Sequence, residues 1–271
     1  SIGVMRDPLL PLLPGPQDAD RPWLICYGID ERVELTGHVL SMWLAKIAGF
    51  VTSESVPGDG VHVALPPHWR SVAWACGTWL AGRSVLLGSN EEIRTAGLIP
   101  ELSVAFTPES LYDEAEAQAL VPPASLALRW PEELPALVLD GAADLMHYPD
   151  RFTPVSTAAD SVCLTDLTSE AAAPAAPGAP GGTAPSGGRL TVLTRAQLAA
   201  RVEAADAPAG SGRHSTSRAV LVRSPDTAQM LQEVLVAWRT GRTAVVLTPE
   251  AGDDVAAAAI RQEGIQEGIT A

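Results

Sequence analysis

The segment 160–198 reads DSVCLTDLTSEAAAPAAPGAPGGTAPSGGRLTVLTRAQL, and its residue types and spacing are the best suited to binding chemistry. Its left end predicts a buried strand that ends in Thr-Ser, and its right end predicts a capped helix. The glycine-rich stretch 178–188 could hold an anion with its backbone amides, because glycines allow these amides to approach a phosphate closely. Its Ala, Pro and Gly composition favours the alternative of a flexible linker. GxGxxG spacing is absent, which argues against a dinucleotide-binding loop.

The other side chains with catalytic potential are scattered along the sequence. The histidines lack the spacing of metal ligands, and no Cys/His cluster occurs. We interpret His68, which follows two prolines at a predicted helix start, as a surface or capping residue rather than a catalytic one. We interpret Asp150, Asp160 and Asp166 as solvated loop acids rather than a carboxylate pair. The sequence therefore predicts no catalytic residue and no metal site.

Charge and cysteine content limit the classes of partner. The 32 acidic residues outnumber the 18 basic ones, for a formal net charge of −14. Since nucleic-acid binding depends on clustered Lys and Arg, this balance argues against a nucleic-acid partner. The three cysteines lie far apart in apolar surroundings, which is typical of reduced thiols in a cytoplasmic protein. No apolar run of about eighteen residues occurs, so we expect no membrane-spanning helix and no membrane partner.

Short apolar runs alternate with amphipathic segments along the sequence. Strands are predicted at 22–28, 32–35, 57–65, 84–89, 102–107, 125–130, 161–167, 218–224 and 243–248. Helices are predicted to follow Thr36, Pro67, Thr107 and Thr194, to start at Pro225, and to occupy about 252–264. This alternation is typical of mainly parallel sheets flanked by helices, so the predicted fold class is α/β.

The run of small residues suggests a division of the chain. We predict a first α/β subdomain with an N-terminal arm over 1–165 and a second α/β segment over 190–271. An Ala/Pro/Gly-rich flexible loop over 166–189 is predicted to separate them.

Tryptophans are frequent, with seven in the sequence. Four of them follow helical faces and are predicted to lie in the core: Trp43, Trp69, Trp79 and Trp238. A groove lined by Trp74, which would hold an acyl chain or a ring, stays open as an alternative.

The order of these elements resembles the N-terminal half of the adenylate-forming synthetases. This AMP-binding superfamily includes acyl-CoA synthetases, luciferases and peptide-synthetase adenylation domains. PGDGVHVALPPHWRS (57–71) resembles the family's PGD-x-V turn, strand and Pro-Asn, and GTWLAGRSVLLGS (77–89) resembles its helix that ends in Ala-Gly before a strand. Residues 188–202 and 218–250 resemble the segments that follow the family's phosphate loop. Overall the chain is similar to a bacterial family of short, uncharacterised proteins that resemble AMP-binding enzymes.

The phosphate loop is where the sequence departs most from the family. The family carries Thr/Ser-Ser-Gly-Ser/Thr-Thr-Gly-x-Pro-Lys-Gly, whereas here Glu170 stands where a glycine belongs, an insertion follows, and no lysine is present. The resemblance implies a weak nucleotide-binding set that consists of Thr168, Ser169, Gly187, Gly188 and Arg189. Arg189 could supply the charge of the missing lysine. The only lysine in the sequence, Lys46, lies far from this loop.

These departures shape the functional expectation. The stretch that resembles the family, about 22–107 and 160–265, includes neither the family's Tyr-Gly-x-Thr-Glu motif nor its C-terminal lid. We therefore expect a truncated, non-catalytic relative, a pseudoenzyme, that binds a nucleotide (ATP or AMP), CoA or an acyl group, or that pairs with itself or another protein.

Two alternatives stay open. The first is an active acyl-adenylate-forming ligase that uses Arg189 in place of the lysine. The second is an unrelated α/β protein that binds a small metabolite at a switch point of its sheet.

Overall fold

The computed structural model of the protein describes residues 7–18, 20–168, 190–206 and 217–265. The strands are β1 (Pro22–Tyr27), β2 (Arg32–Thr36), β3 (Val61–Ala64), β4 (Val85–Leu87), β5 (Leu102–Ala105), β6 (Gln118–Leu120), β7 (Leu139–Asp140), β8 (Val162–Asp166), β9 (Thr191–Thr194), β10 (Ala219–Val222) and β11 (Thr243–Leu247). The α-helices are α1 (Gly37–Glu54), α2 (Trp69–Leu80), α3 (Asn90–Ala96), α4 (Arg195–Asp206), α5 (Thr227–Arg239) and α6 (Asp253–Gln262).

The strands form two sheets. One has seven strands in the order β7-β6-β5-β3-β4-β8-β9, and the other has four in the order β10-β11-β1-β2. Neighbouring strands are parallel except for β8 with β9 and β1 with β2, which are antiparallel. The predicted α/β class with mainly parallel sheets flanked by helices is therefore confirmed.

Helix α2 lies between the two sheets. Eleven of its twelve residues are buried, and it contacts β3 and β4 of the larger sheet, β1 of the smaller sheet, and the helices α1 and α5. A helix that is buried on all sides needs an apolar surface all round, which the run WRSVAWACGTWL largely provides. The Trp79 indole donates from Nε1 to the Cys163 carbonyl in β8 over 2.8 Å, so the one polar atom of that ring has a partner.

The tryptophan predictions can be checked directly. Trp69, Trp79 and Trp238 are buried as predicted, while Trp43 is half-buried against the same core. The alternative of a groove at Trp74 is wrong, because this ring is 1% exposed and packs edge-on against Phe50 with ring centroids 5.6 Å apart.

A buried ion pair ties the N-terminal arm to helix α4. The Arg195 guanidinium donates to the Asp7 carboxylate over 2.6 Å, and both side chains are 1% exposed. Arg195 also donates to the Trp79 carbonyl over 3.0 Å, and Thr157 donates its hydroxyl to Asp7 over 2.9 Å. Because removal of one partner would leave an uncompensated buried charge, these contacts hold together segments that are distant in sequence.

Local capping signals in the sequence are confirmed. Thr36 caps α1 by accepting a hydrogen bond from the Val39 amide over 3.2 Å. Thr194 and Gln197 form the predicted capping box, with reciprocal bonds of 2.9 and 3.2 Å. Helix α5 begins two residues later than predicted, at Thr227, because Asp226 is its cap.

Two predicted elements are wrong. Residues 125–130 form no strand, because the buried Arg70 guanidinium takes the carbonyls of Ala124, Ser125 and Ala127 that a neighbouring strand would need. The helix predicted after Thr107 is a 3-10 turn of three residues, because the Tyr112 amide bonds to Ser103 and the chain turns back into β6.

The domain boundaries at 165/166 and 189/190 stay a prediction. Each sheet takes strands from both sides of the segment 166–189, since β1 and β2 join β10 and β11, while β9 joins β8.

Within the described ranges, no helix has the length and apolar character needed to span a bilayer.

The close approach of α1 and α2 yields a prediction about Gly77. A Cβ atom at this position would lie 2.5 Å from Ile47 Cγ2 and 3.2 Å from the Leu44 carbonyl oxygen. Since Ile47 is buried and β-branched, it has little freedom to move aside. We expect Gly77→Ala to lower the free energy of unfolding by about 1–3 kcal/mol, measured by urea denaturation.

Gly28→Ala is the matched control for this prediction. The atoms nearest to a Cβ at Gly28 are 3.8 Å away, so we expect almost no change in stability. A Gly77→Ala variant as stable as the native protein would contradict the packing described for α1 and α2.

Candidate functional site

The carboxyl ends of parallel strands from both sheets meet around one cavity, which we call the strand-end cavity. Its volume is about 310 Å³. It is lined by Val63, Ala64, Leu65, Pro66, Pro67, Leu87, Gly88, Thr168, Pro225, Asp226, Thr227 and Pro249. These residues lie at or directly after the ends of β3, β4, β8, β10 and β11. Open parallel sheets bind their ligands at this edge, so the strand-end cavity is the candidate site.

Of the predicted site residues, Thr168 is the one that the structure describes. Its backbone amide and its hydroxyl both contact the carboxylate of Asp166. Asp166 Oδ1 accepts from the Thr168 amide over 2.9 Å and from the Thr168 hydroxyl over 2.6 Å. Both hydrogens that Thr168 could offer to a phosphate are therefore already donated within the chain. The Asp166 carboxylate would also repel a phosphate placed there.

The other predicted site residues, Ser169, Gly187, Gly188 and Arg189, lie outside the described residues, as does the glycine-rich stretch 178–188. Their role in nucleotide binding stays a prediction. The structure thus brings one member of the predicted set to the candidate site.

The interpretation of Asp150, Asp160 and Asp166 as solvated loop acids is correct for two of them. Asp160 is exposed, and the half-exposed Asp150 pairs with Lys46 over 2.6 Å. Asp166 is 6% exposed, because it ends β8 and turns its carboxylate back onto Thr168. The D-x-T spacing in the sequence could have indicated this turn, since Asp side chains often bond to the backbone two residues further on.

A second groove shares Asp166 and Thr168 and runs between the β8–β9 pair and helices α4 and α5. Its volume is about 440 Å³, and Arg201 is the only basic side chain among its lining residues. Like Asp166, its other two carboxylates already accept hydrogen bonds within the chain. Asp226 accepts from the Gln229 amide over 2.8 Å, and Glu233 accepts from the Ser224 hydroxyl over 2.8 Å. Arg201 is a functional candidate that sequence reasoning missed, because its proximity to β8 depends on the packing of α4.

A buried histidine supports the edge of the strand-end cavity. His62 lies in β3 with 0% exposure; its Nδ1 is 2.9 Å from Ser103 Oγ and its Nε2 is 2.9 Å from the Gly88 carbonyl oxygen. Because a carbonyl only accepts, Nε2 carries the proton and Nδ1 accepts from the Ser103 hydroxyl. Burial lowers the pKa of His62, so the neutral ring holds Gly88 in place.

His68 caps helix α2, as one of its two interpretations predicted. Its Nδ1 accepts from the Arg70 amide over 3.1 Å. The side chain is buried rather than on the surface, being 5% exposed. Burial, with the Arg70 charge as a second cause, lowers the pKa of His68 to about 4, so the ring is neutral near pH 7.

Within the described residues, the cysteines do not form a reactive thiol site and the potential ligands do not form a metal site. All three cysteines are free and buried, and burial raises the pKa of Cys26 and of Cys163 to about 12. Thiols of this kind stay protonated at neutral pH and are weak nucleophiles. Among the residues that the structure describes, no three His, Cys, Asp or Glu side chains are placed to hold a metal ion.

Solved structures with the same arrangement of elements include acyl-CoA synthetases. The acyl-CoA synthetase of Brucella canis matches with a TM-score of 0.73 at 17% identity, covering 97% of this chain and 47% of that chain. The acetoacetyl-CoA synthetase of Streptomyces lividans gives 0.65 at 17% identity, covering 90% and 38%. An ATP-bound RpMatB–BxBclM chimera gives 0.67 at 11% identity, covering 95% and 48%. This chain has the fold of the N-terminal domain of adenylate-forming enzymes.

The resemblance in the sequence is therefore confirmed at the level of the fold. The chain spans less than half the length of these solved structures, with 47%, 38% and 48% covered. A Mycobacterium tuberculosis protein that is named only by a family number is 28% identical over 161 residues, which are 56% of this chain and 62% of that protein. Profiles of known protein families give no match.

The burial of His68 predicts a pH dependence of stability. Because its pKa is about 4 in the folded protein against 6.5 for the free group, the unfolded chain binds more protons between these values. The stability contribution is present above pH 6.5 and is lost as the pH falls towards 4. We expect this loss to be about 3 kcal/mol smaller in His68→Asn, measured by urea denaturation across this range.

Asparagine is a suitable replacement because it is also a good N-cap residue. His38→Asn, at an exposed position, is the control and should follow the native pH profile. Parallel profiles for His68→Asn and the native protein would show that burial of His68 has no such effect.

Proposed function

We propose that this chain binds an acyl group, CoA or a nucleotide in the strand-end cavity and does not form acyl-adenylates by itself. The observation that carries the proposal is the Asp166–Thr168 pair, which places a buried carboxylate where the resemblance expects the start of a phosphate loop. The phosphate loops of nucleotide-binding proteins depend instead on free amide and hydroxyl donors and on a nearby cation.

Such a site also needs basic side chains to bind the phosphate, and this chain offers few of them near Thr168. No lysine occurs between Thr168 and Arg195 in the sequence. The only lysine, Lys46, donates to the Tyr148 carbonyl over 2.7 Å and pairs with Asp150, and it does not line the strand-end cavity. A triphosphate would therefore depend on Arg189 or Arg201 for charge compensation.

The walls of the strand-end cavity favour an apolar ligand group. Four prolines and several aliphatic side chains line it, and Asp226 is its one charged lining residue. Its volume of about 310 Å³ is within the usual range for a small-molecule site. These features suit an acyl chain or the apolar part of acyl-CoA better than a bare phosphate.

Binding is tested by calorimetric titration of the purified protein with ATP·Mg²⁺, AMP, CoA and acyl-CoA. We expect acyl-CoA or CoA to bind, and ATP·Mg²⁺ to bind more weakly. A variant that lacks 178–188 reports whether that stretch takes part in binding. Flat titrations for all four compounds would contradict the proposal.

The role of Asp166 is tested by Asp166→Asn. The amide oxygen of Asn still accepts from the Thr168 backbone, while the negative charge is removed. We expect AMP to bind about tenfold more tightly to this variant, measured by the same calorimetry. Asp160→Asn, which removes an exposed charge just before the other end of β8, should leave AMP affinity unchanged. Equal effects of the two substitutions would exclude a specific role for Asp166.

Self-association is a second proposal, and it is supported by exposed leucines in the loop that precedes β7. Leu126, Leu128 and Leu137 are 80%, 66% and 98% exposed. The proposal is that these side chains form part of a contact surface, since contiguous exposed apolar patches are typical of such surfaces. Light scattering after gel filtration tests this, with association expected at high concentration and a monomer at every concentration as the contrary result.

A further inference from the structure

A second cavity lies next to the strand-end cavity, between the tip of the β1–β2 hairpin and the loops that follow β3, β6 and β11. We call it the hairpin-tip cavity, and its volume is about 430 Å³. It is lined by Gly28, Ile29, Asp30, Glu31, Pro66, Pro67, His68, Phe106, Pro123, Ala124, Thr248, Pro249 and Glu250. None of these residues belongs to the predicted nucleotide-binding set.

The charged side chains that line this cavity are acidic. Asp30, Glu31 and Glu250 are carboxylates, no Lys or Arg lines the cavity, and His68 is neutral near pH 7. The neighbouring Arg70 is not a lining residue, and its guanidinium donates to three backbone carbonyls and lies over the Trp69 ring at 4.5 Å. An anionic ligand is therefore disfavoured here, and a cation is favoured.

A buried hydroxyl without a partner lies in the wall of the cavity. Thr248 is 9% exposed, and its Oγ1 has no hydrogen-bond partner among the residues that the structure describes. It faces Gly28, another lining residue, since a Cβ built there would be 3.8 Å from Oγ1. Buried polar atoms in native proteins are almost always satisfied, so this hydroxyl indicates a ligand or a bridging water as its partner.

The rest of the wall is apolar and aromatic. Prolines 66, 67, 123 and 249 form much of it, and the Phe106 ring stands edge-on to the His68 ring with centroids 5.2 Å apart. The Glu31 carboxylate keeps the opposite wall in place by accepting from the Ser125 amide over 2.9 Å. The cavity thus combines a rigid apolar wall, acidic groups and an unused hydroxyl.

From this combination we infer that the hairpin-tip cavity binds an organic amine, with the cationic nitrogen near the carboxylates and an apolar body against the prolines and Phe106. Thr248 would form a hydrogen bond with the nitrogen or with a water that bridges to it. A metal ion fits less well, because the described residues contain no group of three ligands placed to hold one.

The inference is tested with three probes of similar shape: benzylamine, benzyl alcohol and benzoate. Binding to the native protein is followed by NMR titration at low and high salt. We expect benzylamine to bind about tenfold more tightly than benzyl alcohol, benzoate not to bind, and added salt to weaken the binding of benzylamine. Equal binding of benzylamine and benzyl alcohol, or no binding of benzylamine, would overturn the inference.

Two variants locate the binding site. Glu250→Gln should weaken benzylamine binding about threefold to fivefold, and the isosteric Thr248→Val should weaken it by a similar factor without loss of stability. Glu132→Gln, at an exposed position outside the cavity, should leave binding unchanged. Unchanged binding in both cavity variants would place the amine elsewhere and overturn the assignment. Titrations with CoA or AMP test the strand-end cavity separately, so the two proposals can fail independently.

Discussion

The burial of helix α2, in which eleven of twelve residues are buried, is the constraint on which the rest of the structure depends. This helix contacts both sheets, so the two sheets are held at the separation that its side chains allow. On one side Gly77 lets α1 approach closely, and on the other Trp79 bonds to the backbone of β8. Arg195 then anchors α4 and the N-terminal arm on the carbonyl of Trp79. Because β8 leads into the segment 166–189 and β9, which pairs with β8 and continues into α4, follows it, α2 indirectly positions both ends of the predicted binding segment.

Both cavities follow from this arrangement. The strands packed on α2 present their carboxyl ends at one edge, so the residues that follow them line a continuous region between the sheets. Pro66, Pro67 and Pro249 contribute to both cavities. The difference between the cavities lies in charge: the strand-end cavity is mostly apolar, with Asp226 as its one charged lining residue, whereas the hairpin-tip cavity has three carboxylates. The same edge of the fold thus carries two cavities that differ in charge.

Much of the fold could be predicted from the sequence because its signals are local. The capping box of Thr194 and Gln197 and the apolar face of α5 depend on residues within one or two turns. Strands β6, β7 and β9, of three, two and four residues, were not predicted. The wrong strand at 125–130 and the missed role of Asp166 share a cause. Their conformations depend on hydrogen bonds and burial that the pattern of residue types does not specify, such as those that Arg70 supplies.

We propose that the carboxylate at the end of β8 keeps this chain from forming acyl-adenylates by itself. This chain covers less than half of each of the solved structures with the same fold, so their activities do not transfer to this chain. The most direct test is ATP–pyrophosphate exchange with a panel of carboxylic acids, with Arg189→Ala in parallel. We expect no acid-dependent incorporation of labelled pyrophosphate into ATP by the native chain. Acid-dependent exchange that is lost in Arg189→Ala would contradict the claim and show that Arg189 replaces the missing lysine.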